Sequence, residues 1–341
     1  MHLLSFLRKS KTSNETSSLY GLDHAALNLP VPPPSMWMNL GYWKDTTDFP
    51  TACAALLDQV LITASLLDEN GDATSHSTEK RLRLLDVGIG CGDQSVRILG
   101  YKRRMHGGVA ANDNSDLDGN IKDMTAPLFD SYVGITSIPV QAQFAKQRIE
   151  SSKHSQSNLR AQIFCADAAN PLSWDTKLKT SLSAAPPSHE TEENWLLALD
   201  TLYHFSPSRA PLFKYTHSTL HASIMAFDLL LPTPKPSFWA RLLLRILCLF
   251  AGTPYTNFLT QDEYTALLVD AGYDLSKIIF RDISDDVFHG IAGYINSREE
   301  VLKAYGLGGS KGMKKYGGAG KLFGWWARTG VVKGFIIVAR A

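Results

Sequence analysis

Three glycines at alternate positions, Gly88, Gly90 and Gly92, follow a short apolar run that carries a carboxylate, Asp86. A helical pattern begins directly after them at Asp93, so the stretch predicts a strand, a tight loop and a helix. Glycine lets a backbone come very close to a ligand, although a plain tight turn uses the same residue. Because α/β sheets bind ligands where a strand passes into a helix, the loop predicts a site for a nucleotide-like ligand.

Further polar side chains stand at or near the ends of other predicted strands, namely Thr136, Asp167, His204 and Asp228. In a parallel sheet these strand ends meet at one edge, which places the side chains near the glycine loop. His204 has the chemistry of a general base, since an unperturbed histidine has a pKa of about 6.5. A histidine packed in the protein interior is the alternative. Asp228 could orient or assist His204, or it could cap the loop that follows its strand.

Strand and helix patterns alternate along the chain, which indicates an α/β fold with a mostly parallel sheet covered by helices on both faces. The predicted strands are 82–87, 131–136, 162–166, 194–199, 223–230, 278–283 and 331–339. An aromatic and glycine-rich stretch separates the last two. Polar segments near 101–130 and 175–193 predict insertions. Residues 1–35 are expected to be a mobile or extended segment before a single domain at 36–341.

Aromatic and apolar stretches outside the predicted sheet indicate where a second ligand could bind. Tyr42 and Trp43 could cover a bound ligand or plug the core below a loop, and Tyr203 could line a pocket. The apolar helix 238–251, interrupted by Arg241 and Arg245, is too short to span a bilayer, which needs about twenty residues. It could be part of a substrate lid at 232–260, an interfacial membrane helix or a dimer contact.

Composition excludes several classes of protein. With 341 residues, 44% hydrophobic and 20% charged, the chain can bury a large core. A net charge of +1 provides no field that would favour nucleic acid. The four cysteines lack metal-ligand spacing, so we predict no metal site and a reducing, cytoplasmic location, with peripheral membrane contact through 238–251 left open. The oligomeric state is left open as well.

Three stretches of the sequence are similar to motifs of a known family. The stretch 85–92 resembles the first motif of the class I S-adenosylmethionine-dependent methyltransferases. The stretch 134–141 resembles the second motif of the branch that holds sterol, tocopherol and cyclopropane-fatty-acid methyltransferases, and 39–43 is like the aromatic lead-in of that branch. The resemblance covers about residues 36–275. It implies a Rossmann-like fold with a seven-stranded sheet and S-adenosylmethionine as the cofactor.

The resemblance also implies roles at the glycine loop. The backbone of Gly88, Gly90 and Gly92 would admit the amino-acid end of the cofactor. Asp86 would organise the loop or meet the ammonium group through water.

Other implied roles concern the ribose and the adenine. Many methyltransferases hold the ribose with an acid at the end of the second strand, but here Thr136, with Gln141 nearby, would have to do so. Asp167 would accept a hydrogen bond from the adenine amino group, and Ala168 would donate its backbone N–H. A helix N-cap is the alternative role of Asp167.

The function that follows is methyl transfer from S-adenosylmethionine to a small, rather apolar acceptor through oxygen, nitrogen or carbon. A lipid-like molecule or a secondary metabolite fits the apolar helix and the aromatics near Trp325 and Trp326. The first alternative is a non-catalytic S-adenosylmethionine-binding scaffold or sensor. A nicotinamide-dependent oxidoreductase is disfavoured, because the third glycine of the dinucleotide motif and its downstream acid are both missing.

Overall fold

The computed structural model describes residues 29–30, 32–104, 125–152, 160–182, 192–307 and 311–341. The helices are α1 (Phe49–Thr63), α2 (Ser75–Glu79), α3 (Asp93–Gly100), α4 (Pro139–Glu150), α5 (Thr176–Leu182), α6 (Ala210–Ser218), α7 (Phe238–Ala251), α8 (Gln261–Ala271), α9 (Ser284–Ala304) and α10 (Lys311–Thr329). The strands are β1 (Arg81–Val87), β2 (Lys102–Arg104), β3 (Thr125–Pro127), β4 (Ser131–Thr136), β5 (Arg160–Cys165), β6 (Glu192–Leu199), β7 (Ala222–Leu230), β8 (Ile278–Asp282) and β9 (Lys333–Ala339).

Seven strands form one twisted sheet in the order β5-β4-β1-β6-β7-β9-β8. All neighbours are parallel except β9, which runs antiparallel to both β7 and β8. The chain leaves β1 toward β4 and β5 on one side, and β6 and β7 build the other side. The strand order therefore reverses at β1, and a sheet of this kind binds ligands beside the carboxyl end of that strand. The predicted α/β sheet is confirmed.

Helices cover both faces of the sheet. Successive side chains of a strand point to opposite faces, and here both faces are apolar and must be covered. Leu84 belongs to a core that also holds residues of α1 and α9, whereas its neighbour Leu85 belongs to the core on the opposite face, with residues of α6 and α8. The strands are thus apolar on both sides. Polar side chains that carry chemistry are left to the strand ends.

The stretch between β8 and β9 differs from the sequence prediction, which did not assign helices there. It forms α9 and α10, which pack against each other. Glycine lowers helix propensity, and α10 contains several glycines, so the pattern looked irregular. At Gly320 a Cβ atom would lie 2.9 Å from Cγ2 of Ile295, so the missing side chain permits the close helix contact.

The predicted insertions are described only in part. β2 and β3 form a two-stranded antiparallel sheet apart from the main one, and residues 105–124 between them lie outside the described residues. Residues 183–191 of the second insertion, and residues 1–28 and 31 of the N-terminal segment, also lie outside them. Among the described helices, each is too short or too polar to cross a membrane.

Candidate functional site

A cavity of about 600 Å³ opens at the carboxyl ends of β1, β4, β5 and β6. Its walls come from the glycine loop after β1, the turns after β4 and β5, the turn after β6, and the segment Met36–Leu40, which we call the strap. Most of the site residues predicted from the sequence line it. These are Gly88, Gly90, Thr136, Gln141, Asp167, Ala168, Tyr203 and His204.

The three glycines of the loop all have positive φ angles, but they serve different purposes. A Cβ atom on Gly88 would lie 2.5 Å from Oγ1 of Thr201, and one on Gly92 would lie 2.8 Å from Cα of Ala145. These two glycines let the loop approach the turn after β6 and helix α4. A Cβ atom on Gly90 would meet only Sδ of Met38, at 3.5 Å. Gly90 is therefore the glycine that leaves backbone open to the cavity.

Asp86 is fully buried below the loop and does not line the cavity. It accepts hydrogen bonds from Nε2 of Gln94 at 2.6 Å and from the hydroxyl of Tyr132 at 2.7 Å. Burial raises the pKa of Asp86 to about 7, although both hydrogen bonds act in the opposite direction. Gln94 does line the cavity. Of the two predicted roles, the contacts support organisation of the loop.

Thr136 and Gln141 stand together at the end of β4. The Thr136 hydroxyl donates to Oε1 of Gln141 over 2.9 Å, and Nε2 of Gln141 lies 3.6 Å from Sδ of Met38. The pair presents a hydroxyl and an amide to the cavity where an acid often stands.

Asp167 and Ala168 follow β5. Oδ1 of Asp167 accepts from the backbone N–H of Ala169 at 2.9 Å, and the Asp167 carbonyl accepts from Nε1 of Trp174 at 2.7 Å. The side chain therefore stabilises the turn, while Oδ2 has no hydrogen bond from a described residue. A carboxylate oxygen is left for a donor in the cavity.

The turn after β6 brings Asp200, Tyr203 and His204 to the cavity. Nδ1 of His204 lies 3.3 Å from Oγ1 of Thr253, and the His204 ring centre lies 4.2 Å from that of Tyr203. His204 keeps contact with solvent, yet the protein around its ring lowers its pKa. A lowered pKa leaves the imidazole neutral near pH 7 and able to accept a proton.

The strap closes the site from the N-terminal side. The Met36 N–H donates to Oδ2 of Asp93 at 3.1 Å, and Arg148 forms an ion pair with the same carboxylate. The Leu40 N–H donates to Oδ2 of Asp200 at 2.8 Å. Both anchors are carboxylates at the ends of elements that also line the cavity.

Sequence reasoning missed the strap and both of its anchors. Asp93 could have been found as the first residue of a helix beside the glycine loop. Asp200 directly follows a predicted strand, and that was its signal. It has a φ of +59°, and its Oδ1 is buried without a hydrogen bond of good geometry from any described residue. Burial raises the pKa of Asp200 to about 7.

Asp228 does not reach the cavity, which corrects its prediction as a catalytic residue. It is fully buried, forms an ion pair with Arg209, and accepts from the Tyr264 hydroxyl at 3.1 Å. Arg209 also donates to the Asn257 carbonyl, and the Asn257 amide donates to the Tyr203 carbonyl at 3.1 Å. Asp228 therefore contributes indirectly: it anchors a hydrogen-bond network that holds the turn with His204.

Tyr42 and Trp43 are also absent from the cavity walls, in contrast to the predicted substrate pocket. Both are buried, and the Trp43 ring packs at a tilt against Phe49 and Tyr294. A Cβ atom on Gly290 would lie 2.1 Å from Cγ of Trp43, so α9 makes room for the indole. The aromatic lead-in is a core plug, and the strap before it covers the cavity.

The predicted lid at 232–260 contributes no residue to the cavity wall. It connects to the wall through Thr253, which contacts His204, and through Asn257, whose amide donates to the Tyr203 carbonyl. Trp326, cited with Trp325 as a sign of an apolar acceptor, is buried against Phe288 and Phe258. It belongs to the core.

No family model matches the chain, and no curated protein sequence matches it. Solved structures do. The cyclopropane synthase MmaA2 from Mycobacterium tuberculosis is 14% identical, with a TM-score of 0.53, over 89% of this chain and 90% of that one. The mycolic acid cyclopropane synthase CmaA1, solved with SAH and CTAB, is 13% identical, with a TM-score of 0.55, over 94% and 95%. The [4+2]-cyclase SpnF is 17% identical, with a TM-score of 0.52, over 97% of both chains.

Identities this low show a shared fold and nothing more. The inclusion of a cyclase shows that the fold alone does not fix the reaction. The chain shares its fold, a mostly parallel seven-stranded α/β sheet with helices on both faces, with these cyclopropane synthases and with this cyclase.

Proposed function

We propose that the protein transfers a methyl group from S-adenosylmethionine to a small, apolar acceptor. The observation that carries the proposal is the convergence of three features in one cavity of about 600 Å³: the open backbone of Gly90, the Thr136–Gln141 pair, and the turn with Asp167. The cyclopropane synthase with the same fold was solved with SAH.

The residues present fit this cofactor. The loop leaves an unobstructed backbone at Gly90 for the amino-acid end, and Thr136 with Gln141 offers hydrogen-bonding groups for the ribose hydroxyls. Oδ2 of Asp167 is free to accept from the adenine amino group, and the Ala168 backbone stands beside it. Sδ of Met38, between Gly90 and Gln141, would cover the cofactor from the strap side.

The mechanism asks for positioning and for removal of one proton. When bound, the cofactor supplies a methyl group on a sulfonium, ready for in-line displacement. The strap and the turn after β6 hold the reactants together and exclude water, which accounts for much of such a rate. Where the acceptor is a hydroxyl or an ammonium, His204 takes its proton, and Tyr203 forms part of the acceptor wall. The Thr253 hydroxyl beside Nδ1 orients the His204 ring.

Binding is the first test. Calorimetry with S-adenosylmethionine and its demethylated product should show binding, and NAD should show none, which separates the proposal from the oxidoreductase alternative. In Asp167→Asn the amide nitrogen would face the adenine amino group, donor against donor, so the affinity should fall about tenfold. Asp175→Asn is the matched control, because Asp175 only accepts from the Leu178 N–H at the start of α5.

Turnover is the second test. Labelled cofactor incubated with apolar extracts should transfer its methyl group to a small molecule. Labelling of protein or RNA alone would contradict the acceptor class. Binding without transfer to any extract would favour a cofactor-binding scaffold instead.

A further inference from the structure

Helix α7 exposes an apolar surface that the proposed function does not use. Four of its side chains are largely exposed: Phe238 by 62%, Trp239 by 75%, Leu249 by 80% and Phe250 by 84%. Leu242, Leu243 and Ile246 are exposed on the same helix. At 100° per residue these seven side chains fall on one arc of about 140°. Their surface is defined here as the α7 face.

The opposite side of α7 fixes the helix to the protein. Leu244 and Cys248 are its buried residues, and both belong to the core that holds Phe258. The Ser237 side chain caps the start, and Gly252 ends the helix in a left-handed conformation. Because the helix is capped and anchored, the α7 face is presented rigidly.

Both charged residues of α7 itself are arginines. Arg245 lies at the edge of the arc and stacks on Tyr255, with its guanidinium carbon 4.7 Å from the ring centre. Arg241 is one turn earlier, and the helix contains no Asp or Glu. An amphipathic helix with aromatic residues on the apolar face and arginine at its edge suits the boundary of an anionic lipid layer.

The size of the α7 face argues against a second copy of the chain as its occupant. The α7 face consists of seven side chains from a single helix. A stable protein interface uses about 20–30 residues on each partner. A lipid layer needs no such matched area, because each inserted side chain leaves water independently.

We propose that α7 lies flat in the surface of an anionic lipid membrane, with the α7 face among the acyl chains. The C-terminal end of α7 leads to Thr253, whose hydroxyl contacts His204 in the cavity wall. Membrane binding would thus hold the His204 side of the cavity close to apolar molecules dissolved in the lipid. This delivery of the acceptor rests on the proposed function, whereas the binding itself does not.

Vesicle sedimentation of the full chain without cofactor tests the proposal. The wild type should co-sediment with vesicles of phosphatidylcholine containing phosphatidylserine, and less with phosphatidylcholine alone. Leu249→Ser combined with Phe250→Ser should reduce partitioning at least about tenfold, since two large apolar side chains are lost. Arg245→Gln should reduce it about fivefold, and only on the anionic vesicles. Leu275→Ser, an exposed leucine outside α7, is the matched control and should bind like the wild type.

Depth is measured with brominated lipids. These lipids should quench the fluorescence of Trp239. The difference in quenching between the wild type and Trp239→Phe isolates Trp239 among the seven tryptophans. Absence of wild-type binding, or equal binding by the double serine variant, would overturn the proposal. Light scattering that shows a dimer which the double variant dissociates, without vesicle binding, would assign the α7 face to a second copy. Because no cofactor is used, failure here leaves the methyl-transfer proposal to its own tests.

Discussion

The two halves of the cavity are built in different ways. In the β1–β4–β5 half, the turns after β4 and β5 contain hydrogen bonds between residues close in the sequence, as in Thr136 with Gln141 and Asp167 with Ala169. The β6–β7 half depends on distant residues: Asp200 binds Leu40, His204 contacts Thr253, and Arg209 joins Asp228 to Asn257. Turns held by local hydrogen bonds keep their shape independently, whereas the side that would face the proposed acceptor is only as firm as its long-range contacts.

The largest expected effect is the loss of the buried cation on the β6–β7 side. Arg209→Met leaves the Asp228 carboxylate buried without its partner, and we expect the free energy of unfolding to fall by about 3–5 kcal/mol. Urea denaturation measures the change. Adding Asp228→Leu should recover most of it, because replacing both charges by apolar groups is often nearly neutral. A stable single variant would show that the turn with His204 does not depend on this network.

On the β1 side, Gly88→Ala should cost about 2–4 kcal/mol of unfolding free energy, from a left-handed backbone and a clash with Thr201. Gly90→Ala is the control, because its Cβ atom has room and only the backbone term of about 1 kcal/mol applies. Denaturation curves of both variants make the comparison. An equal loss of unfolding free energy in the two variants would mean that the left-handed backbone, and not the clash with Thr201, is the reason for glycine at position 88.

For His204 the expected effect is on rate. His204→Gln should lower kcat about 100-fold, or about 2.7 kcal/mol in the barrier, if a proton is removed from the acceptor. Because burial lowers the pKa of His204, the wild-type rate should rise with pH to a plateau, with a midpoint below the ordinary histidine value of about 6.5. The variant should lack this rise while binding the cofactor as tightly. An unchanged pH profile would make His204 a structural residue.

The smallest effect concerns Asp200, where the two halves meet the strap. Its pKa of about 7 lies above the value of about 3.9 in an unfolded chain, so the folded protein holds an extra proton between these values. Stability therefore falls as the pH rises from about 4 to about 7. Asp200→Asn keeps an acceptor for the Leu40 N–H and removes this loss, so at pH 8 it should be more stable than the wild type by about 1–2 kcal/mol.

Thermal unfolding of both proteins at pH 5 and pH 8 checks the prediction. The wild type should retain part of its pH dependence through Asp86, whose raised pKa acts with the same sign. An Asn variant that is destabilised equally at both pH values would contradict the buried, protonated carboxyl.

The sequence alone predicted the sheet and the half of the site that is local. Short continuous apolar runs indicated all seven strands, since strands buried on both faces must be apolar. The glycine loop, Thr136 and Asp167 were predicted as site residues because they stand at strand ends. Such signals are contained within a few residues. The same reasoning ranked Asp86 with the cofactor contacts, because the sequence cannot say whether a carboxylate points into a cavity or under a loop.

Tertiary structure alone decided the rest, because those outcomes depend on contacts between residues far apart in the chain. The sequence does not show that Trp43 packs against Gly290 of α9, which makes it a core residue. Nor does it show that Asp228 pairs with Arg209, which removes it from the candidate catalytic residues. The glycines of α10 looked irregular until α9 packed on them. The apolar helix α7 was visible in the sequence, but only the fold showed that it faces outward and leaves the cavity to be covered by the strap.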